Sequence, residues 1–516
     1  MRCLSPFLCI LLLAGCSGSE VPDERRRAPH PWLVVGVDGG EWSVIRELWD
    51  EGRLPHLRGL AQRGTTATLR THYAASPVIW TTVATGMLPA EHGIVDFVVP
   101  TPAGDIPVSS SVRRVPAIWN MLTRADMRVG VLGWWASWPA EEVNGVVVSD
   151  RAWMNIPDGV SPPEVSMPKI EAGQGLGFGG GNEASRLRDE GVASLAQQMV
   201  AEDYDLLLTY FRGVDIASHN HWRCYRSSDF PDEALAPHGD ENCGQNIPQE
   251  YEAVDRALGA MLAAAPNDIN VLVISDHGFI PARRDIVKVD LDLDKVLERL
   301  ELLKRNDDGT INYAASVAYT FGSSVYQSAK QVRFGGVSRA RDKLVEALAR
   351  VEFQIVDPTG EVRRVPAFRL RKARSREKGD IVVRVRVRSA TSTLLLDGDP
   401  EPFRGLIGPI SRISGTHDGK THGILLAAGP DIATGVDISG ISIFDIAPTL
   451  LYGLGLPVAE NFVGRPWLEL FPQTFQERWP VRTIPAWKIP RSSGDVTPSA
   501  VDEEIMRELG ALGYLE

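Results

Sequence analysis

Trp32-Leu33-Val34-Val35-Gly36-Val37-Asp38-Gly39-Gly40 is the stretch that decides the fold. A short apolar run stopped by Asp-Gly-Gly reads as a strand buried on both faces. Trp42–Trp49, directly after it, carries its apolar residues at helical spacing. The same punctuation recurs along the chain. Strands are read at Val129–Leu132, Val146–Val148, Leu206–Phe211, Val271–Ile274 and Ile424–Ala427, and helices at Val192–Met199, Tyr251–Ala264 and Ile443–Leu454. Alternation of this kind predicts an α/β fold, a mostly parallel sheet sandwiched by helices. In such sheets ligands bind beyond the carboxyl ends of the strands.

Outward from this frame, residues 280–410 break the pattern and read as an inserted cap of mixed α and β structure. Ile381-Val382-Val383-Arg384-Val385-Arg386-Val387-Arg388 alternates with period two, as a half-exposed strand does. Its basic face reads as a solvated surface, with contact to an anionic substrate as the other possibility. The α/β domain is then expected over 31–279 and 411–480, with 481–516 as a C-terminal tail. The net charge of −12 argues against a nucleic-acid binder, which is usually basic.

The N-terminal residues 1–15, MRCLSPFLCILLLAG, combine a basic start with an apolar stretch too short to span a bilayer, as a signal peptide does. Leu13-Ala14-Gly15-Cys16 resembles the bacterial lipoprotein cleavage box, which implies lipid on Cys16, a polar tether over 16–30 and a place in the cell envelope, on the periplasmic side or the outer membrane. An ordinary secretory signal with a chance cysteine is the plainer alternative. Cys3 and Cys9 leave with the signal, and the remaining pair, Cys224 and Cys243, suits a disulfide in an oxidising compartment.

Polar residues gather where strands end. Asp38 closes the first run. Asp215 and His219 follow Leu206–Phe211. Asp276 and His277 follow Val271–Ile274. His417 stands just before Ile424. Each piece alone is a common cap or turn. Together, three aspartates and three histidines are the ligand complement of two borderline divalent cations such as zinc. A nucleophile is read in Ser76-Pro77-Val78-Ile79-Trp80-Thr81-Thr82-Val83-Ala84-Thr85-Gly86, a short helix with Ser76 as N-cap, Pro77 at the first position and Gly86 as stop. A hydroxyl at a helix N-terminus lies near free N–H groups that suit phosphoryl oxygens.

At this point the order Asp38, Ser76, Thr85-Gly86-Met87-Leu88-Pro89-Ala90-Glu91-His92-Gly93-Ile94, Asp215/His219, Asp276-His277 and His417 resembles the type I phosphodiesterase/nucleotide pyrophosphatase branch of the alkaline phosphatase superfamily. Phe444-Asp445-Ile446-Ala447-Pro448-Thr449-Leu450-Leu451 with Gly455-Leu456-Pro457 is similar to that superfamily's closing helix and turn. The resemblance implies an alkaline phosphatase-like fold and two zinc sites. One would use Asp38, Asp276 and His277 beside the nucleophile, the other Asp215, His219 and His417. The family's nucleophile lies nine residues before the Thr of the Thr-Gly pair, which is Ser76 here, although a proline follows it directly. Thr81 and Thr82 stand as alternatives to Ser76, and His422 to His417; His92 is assigned to the turn. The resemblance implies hydrolysis of phosphate esters through a phosphoseryl intermediate.

Val95-Asp96-Phe97 departs from the family, which carries an asparagine soon after His-Gly-Ile to contact the phosphoryl group. That leaves monoesters, other diesters and phosphonates open. A sulfatase would need Cys or Ser followed by x-Pro-x-Arg, which Ser76-Pro77-Val78-Ile79-Trp80 does not supply. A non-catalytic envelope-binding lipoprotein is the reading from another class. Trp134, Trp135 and Trp138 offer either a stacking surface near the site or buried packing, and Arg212, Asp150 and Arg151 are candidates for the cleft wall.

Overall fold

The structure, a computed structural model, describes residues 30–101, 104–168, 181–230, 242–291, 293–307, 309–320, 329–356, 361–373, 379–385, 392–404, 407–436, 438–489, 495–512 and 514. The expected signal segment, Cys16 and the tether up to residue 29 lie outside these, as do Arg386, Val387 and Arg388 of the expected basic strand. No helix among the described residues is long and apolar enough to cross a membrane.

The deciding stretch is strand β1 (Trp32–Val37), buried at every residue. After it come α1 (Trp42–Asp50), β2 (Thr65–Leu69), α2 (Ser76–Thr85), β3 (Val129–Leu132), β4 (Gly145–Val148), β5 (Val160–Ser161), α3 (Gly181–Met199), β6 (Leu206–Phe211), α4 (Gly213–Tyr225), α5 (Asn246–Ala264) and β7 (Asn270–Ile274). Strand β8 (Ile280–Leu291) leads into the insert and β9 (Ile407–Thr416) returns from it, before β10 (Gly423–Ala428) and α6 (Ile446–Gly453). Among the described residues the central sheet has eight strands in the order β2-β10-β7-β1-β6-β3-β4-β5. Its middle is parallel: β1 pairs with β6 and β7, and β3 with β4 and β6. Strand β10 runs antiparallel to both β7 and β2. The expected mostly parallel sheet between helices is thus what the chain adopts.

Both faces are covered because both are apolar. Leu33, Val35 and Val37 face one core with Leu207 and Phe211; Val34 faces the other with Leu208, Tyr210 and Trp80. Gly36 admits that second core, since a Cβ there would stand 2.9 Å from the Trp80 ring. Full burial of such side chains contributes ~1.5–3 kcal/mol each, so the sheet is the stable platform for what its edge carries.

The insert has a core of its own, with Leu297, Val332, Leu344, Phe353 and Val383 fully buried. It is joined to the sheet by the antiparallel ribbon of β8 and β9, whose root pairs Ile280 with Thr416. The strand Ile381–Val385 is not simply half-exposed: Val382 is buried along with Ile381 and Val383, and only from Arg384 onward does the face open. Cys224 and Cys243 form a disulfide with Cα atoms 5.6 Å apart, tying the end of α4 to the turn before α5.

Behind α4, Asp189 accepts from the amides of Arg212 (3.0 Å) and Gly213 (2.8 Å), donors that a first helical turn leaves without partners. Burial pushes the Asp189 carboxyl up to about 6. Burial, with the neighbouring Asp189 charge, pushes Glu250 up to about 8. Glu250 therefore takes up a proton on folding, and its contribution to stability is lost as pH rises from its ordinary value of 4.5 through about 8. Glu250→Gln is expected to keep its melting temperature between about pH 6 and pH 9, where the native protein loses a few degrees. Identical pH profiles in thermal melts would contradict the buried-acid account.

Candidate metal centre

Helix α2 starts one residue earlier than expected. The amides of Val78 and Ile79 both donate to the Ala75 carbonyl, at 3.0 and 3.1 Å, so Ala75 is the N-cap and Pro77 sits at the second position. The shift frees the Ser76 hydroxyl from capping. It lies instead 3.4 Å from His277 Nε2, buried. Gly86 closes the helix at φ +66°, donating to the Thr82 carbonyl. Thr82 Oγ1 donates to the Val78 carbonyl at 2.9 Å and meets His92 Nε2 at 3.1 Å, which turns it into the core. His92 Nδ1 in turn accepts from the Ile94 amide, a turn role.

The remaining candidates converge on that serine because of the topology. Asp38 follows β1, and Asp276 and His277 follow β7. Helix α4 presents Asp215 and His219 one turn apart on one face. His417 precedes β10, and since β10 is antiparallel to β7 its beginning lies at the same sheet edge as the end of β7. The ribbon of β8 and β9 also starts there, so His277 and His417 stand side by side at its root with stacked rings, centroids 3.5 Å apart. His422 lies elsewhere, its Nδ1 accepting from the Thr71 amide.

His277 Nε2 is the middle of the cluster. Asp276 Oδ2 is 3.3 Å from it, Asp38 Oδ1 3.4 Å and Asp215 Oδ1 3.9 Å. Asp215 Oδ1 is also 3.4 Å from His219 Nε2 and 4.0 Å from His417 Nε2. Two groups have donor atoms within 4.8 Å of one another: Asp215, His219 and His417, and Asp38, Asp215 and His277. Asp215 thus lies between the two corners rather than in one.

These residues fit divalent cations on three observations. Asp38 Oδ1, Asp215 Oδ1, Asp276 Oδ2 and His417 Nδ1 are buried with no hydrogen-bond partner among the described residues. A buried polar atom left so costs roughly 1–3 kcal/mol. His277 Nδ1 donates to the Gly278 carbonyl and His219 Nδ1 to the Gly415 carbonyl, each at 3.0 Å, so both Nε2 lone pairs are aimed into the cluster. That backbone anchoring is the usual outer support of a ligating histidine. Third, burial and the Asp38 charge hold the Asp215 and Asp276 carboxyls well above the usual range, while burial lowers His277 and His417. Lowered in this way, the His277 and His417 imidazoles favour the neutral form, as ligation requires.

A family model described as type I phosphodiesterase/nucleotide pyrophosphatase matches residues 32–392, from β1 through most of the insert. The chain belongs to that family. As a type I phosphodiesterase/nucleotide pyrophosphatase it is a metal-dependent hydrolase of phosphoric esters. A search of curated proteins finds no significant match. Among solved structures it is similar to human ectonucleotide pyrophosphatase/phosphodiesterase 5, at 16% identity over 86% of this chain and 100% of that one, TM-score 0.44. A murine counterpart described as inactive and in complex with AMP shares 15% over 83% and 96%, TM-score 0.43. Phosphonoacetate hydrolase from Sinorhizobium meliloti, with phosphonoformate, shares 15% over 83% and 96%, TM-score 0.42. Likenesses this low carry no residue roles across.

Around the centre of this phosphodiesterase-family chain stand groups that sequence reasoning missed. The Tyr210 hydroxyl donates to Asp38 Oδ2, and Trp135 Nε1 donates to Tyr210 Oη at 2.6 Å. Trp134, Trp135 and Trp138 are all buried; of the two readings, packing describes them, although Trp135 also touches the site. Tyr514, assigned to a tail, donates to Asp215 Oδ2 and lies 3.1 Å from His219 Nε2. Asp150 and Arg151 do not line the site. Asp150 accepts from the Ala136 and Trp138 amides, and Arg151 reaches Val108, Ser499 and Asp502. Arg212 is buried, and its charge offsets part of the upward push on Asp215. Gly39 (φ +71°) carries the turn after Asp38, where a Cβ would stand 2.6 Å from the Phe279 ring and 3.0 Å from Asp215 Cα.

Proposed function

We propose that the chain hydrolyses phosphate esters with two divalent cations and Ser76 as nucleophile. Asp38, Asp276 and His277 would hold one cation beside Ser76, and Asp215, His219 and His417 the other. Imidazole with carboxylate suits zinc. The observation that carries the reading is that three orphaned buried carboxylate oxygens, of Asp38, Asp215 and Asp276, surround His277 Nε2, the same atom that Ser76 Oγ approaches at 3.4 Å. When bound, the cations supply the charge that binds phosphoryl oxygens and lowers the pKa of a hydroxyl or water.

The chain's own residues do the rest. Ser76 enters as the alkoxide, its proton released to solvent, and attacks phosphorus in line. The Ser76 Oγ–P bond forms as the bond to the departing alkoxide breaks. The positive end of the α2 helix dipole, at whose first turn Ser76 stands, favours the added negative charge. Water then attacks the phosphoseryl group from the side the alcohol left, and Ser76 recovers its proton. In the stretch where the family carries an asparagine, the chain reads Val95-Asp96-Phe97. Phosphomonoesters and phosphonates therefore stand beside diesters as candidate substrates.

The zinc-loaded domain should be assayed on p-nitrophenyl phosphate, bis-p-nitrophenyl phosphate, a nucleotide p-nitrophenyl ester, a phosphonate and p-nitrophenyl sulfate. Ser76→Ala is expected to lose at least ~10³-fold in kcat on the preferred ester while keeping its zinc, since this chemistry depends on positioning and charge. Full activity in Ser76→Ala would remove Ser76 as nucleophile. Sulfate turnover without phosphate turnover would point to a sulfatase, and neither zinc nor turnover to a binding protein.

We also propose that the protein is exported in a bacterium and lipid-anchored through Cys16. The Leu13–Cys16 box supports this, as does the Cys224–Cys243 bridge, which fits an oxidising compartment. Cys16→Ser should move the protein from the membrane fraction to the soluble one; an unchanged membrane fraction would contradict the anchor.

A further inference from the structure

The site is closed to solvent. Ser76 is 1% exposed, Asp215 3%, His219 4%, and Asp276 and His277 0%. An ester can reach the serine only if a covering group moves. Three aromatic rings lie over or beside the cluster: Phe279, Phe97 and Tyr514. Phe279 is fixed. Its amide donates to Glu41 Oε2 at 3.2 Å and its ring stacks on Trp222. Phe97 is buried and backed by Trp135, with ring centroids 5.9 Å apart.

Tyr514 differs in where it comes from. It is not part of the sheet, the ribbon or α4. It follows a C-terminal helix, α7 (Asp502–Leu512), and its amide donates to the Leu509 carbonyl at 3.0 Å. Its ring stacks on Phe97 with centroids 4.4 Å apart and an interplanar angle of 19°. Its hydroxyl reaches two atoms of the Asp215/His219/His417 corner, Asp215 Oδ2 and His219 Nε2. His219 Nδ1 already donates to Gly415, so Nε2 carries the lone pair. The phenol oxygen therefore lies against two of the three side chains that would hold this cation, and a catalytic site with three protein ligands leaves a position for water or substrate.

The base of α7 is held firmly. Ile505, Met506 and Leu509 are buried in the core. Buried Arg151 donates from Nη1 to Asp502 Oδ1 (3.0 Å) and Ser499 Oγ (3.1 Å). Beyond Leu509 the sequence is Gly510-Ala511-Leu512-Gly513-Tyr514. Two glycines lower the cost of repositioning a last turn without undocking the helix.

We propose that Tyr514 is a resident occupant of the substrate position at the Asp215/His219/His417 corner, and that an ester binds by displacing it. The inference rests on reading this centre as one for phosphoryl transfer. Tyr514 then sets which esters enter. Each must offer the corner an oxygen that outcompetes the phenol, and apparent affinity is reduced by the fraction of molecules in which the phenol is seated.

The test uses the zinc-loaded full chain as native protein, Tyr514→Ala and Tyr514→Phe, with inorganic phosphate as probe. Calorimetry should show phosphate binding about tenfold tighter in Tyr514→Ala, with a smaller gain in Tyr514→Phe, which keeps the ring on Phe97. KM on the preferred ester should fall in step without a drop in kcat. In the native protein, saturating phosphate should raise hydrogen exchange in the last turn of α7 and leave exchange in α2 and α4 no faster. Unchanged phosphate affinity in both variants, or exchange in α7 that ignores phosphate, would overturn the inference while leaving the hydrolase reading intact. Lower kcat with weaker phosphate binding in both variants would overturn it too, since Tyr514 would then be assisting the substrate. If neither the native protein nor the variants bind phosphate, the phosphoryl-transfer reading fails and the inference falls with it.

Discussion

Three carboxylates crowded around one imidazole, at the carboxyl edge of a buried sheet, are the constraint on which the rest of this structure turns. Asp38, Asp215 and Asp276 all approach His277 Nε2 within 3.9 Å. Two like charges 4 Å apart repel by about 4 kcal/mol at an effective dielectric near 20, and burial adds several kcal/mol for each ion. Whole domains are stable by only ~5–15 kcal/mol. Burial first, and the Asp38 charge after it, push the Asp215 and Asp276 carboxyls upward. On the proposed reading divalent cations would relieve the repulsion, and the same positive charge would then serve a phosphoryl group.

The surroundings read as support for that crowding. Tyr210 and Trp135 orient Asp38, the Gly39 amide donates to Asp276 Oδ1 at 3.2 Å, and Ser275 bridges the Gly40 amide and the His277 carbonyl. The insert is stitched in at the site itself. Its two connections leave side by side from His277 and return to His417, so the ribbon fixes both rings. Whatever the insert does elsewhere, its root is part of the centre.

Much of this was legible in the sequence because it rests on local signals. An unbroken apolar run marks β1, and a polar residue just past each run marks the sheet edge. His417 is instructive. It precedes its strand, and only the antiparallel direction of β10 brings it to the edge where the other ligand candidates lie past strand ends. The position of Ser76 was readable, but its exact place in the helix was not, since cap and first residue differ by a single carbonyl. Tyr514 was beyond reach. It meets Asp215 across a separation of 299 residues, and nothing in the pattern of Asp502–Leu512 says where that amphipathic helix docks. Val382 was misjudged for the related reason that period two reports one covered face and cannot report a second.

The central claim is that Ser76 takes the phosphoryl group. Rapid acid quenching of the zinc-loaded protein during turnover of its best ester, followed by peptide mapping, tests it most directly. Phosphate recovered covalently on Ser76, in an amount that rises with substrate and vanishes when the ester is exhausted, is the predicted result. Turnover with no phosphopeptide at any quench time, or with phosphate on Thr81 or Thr82 instead, would contradict it.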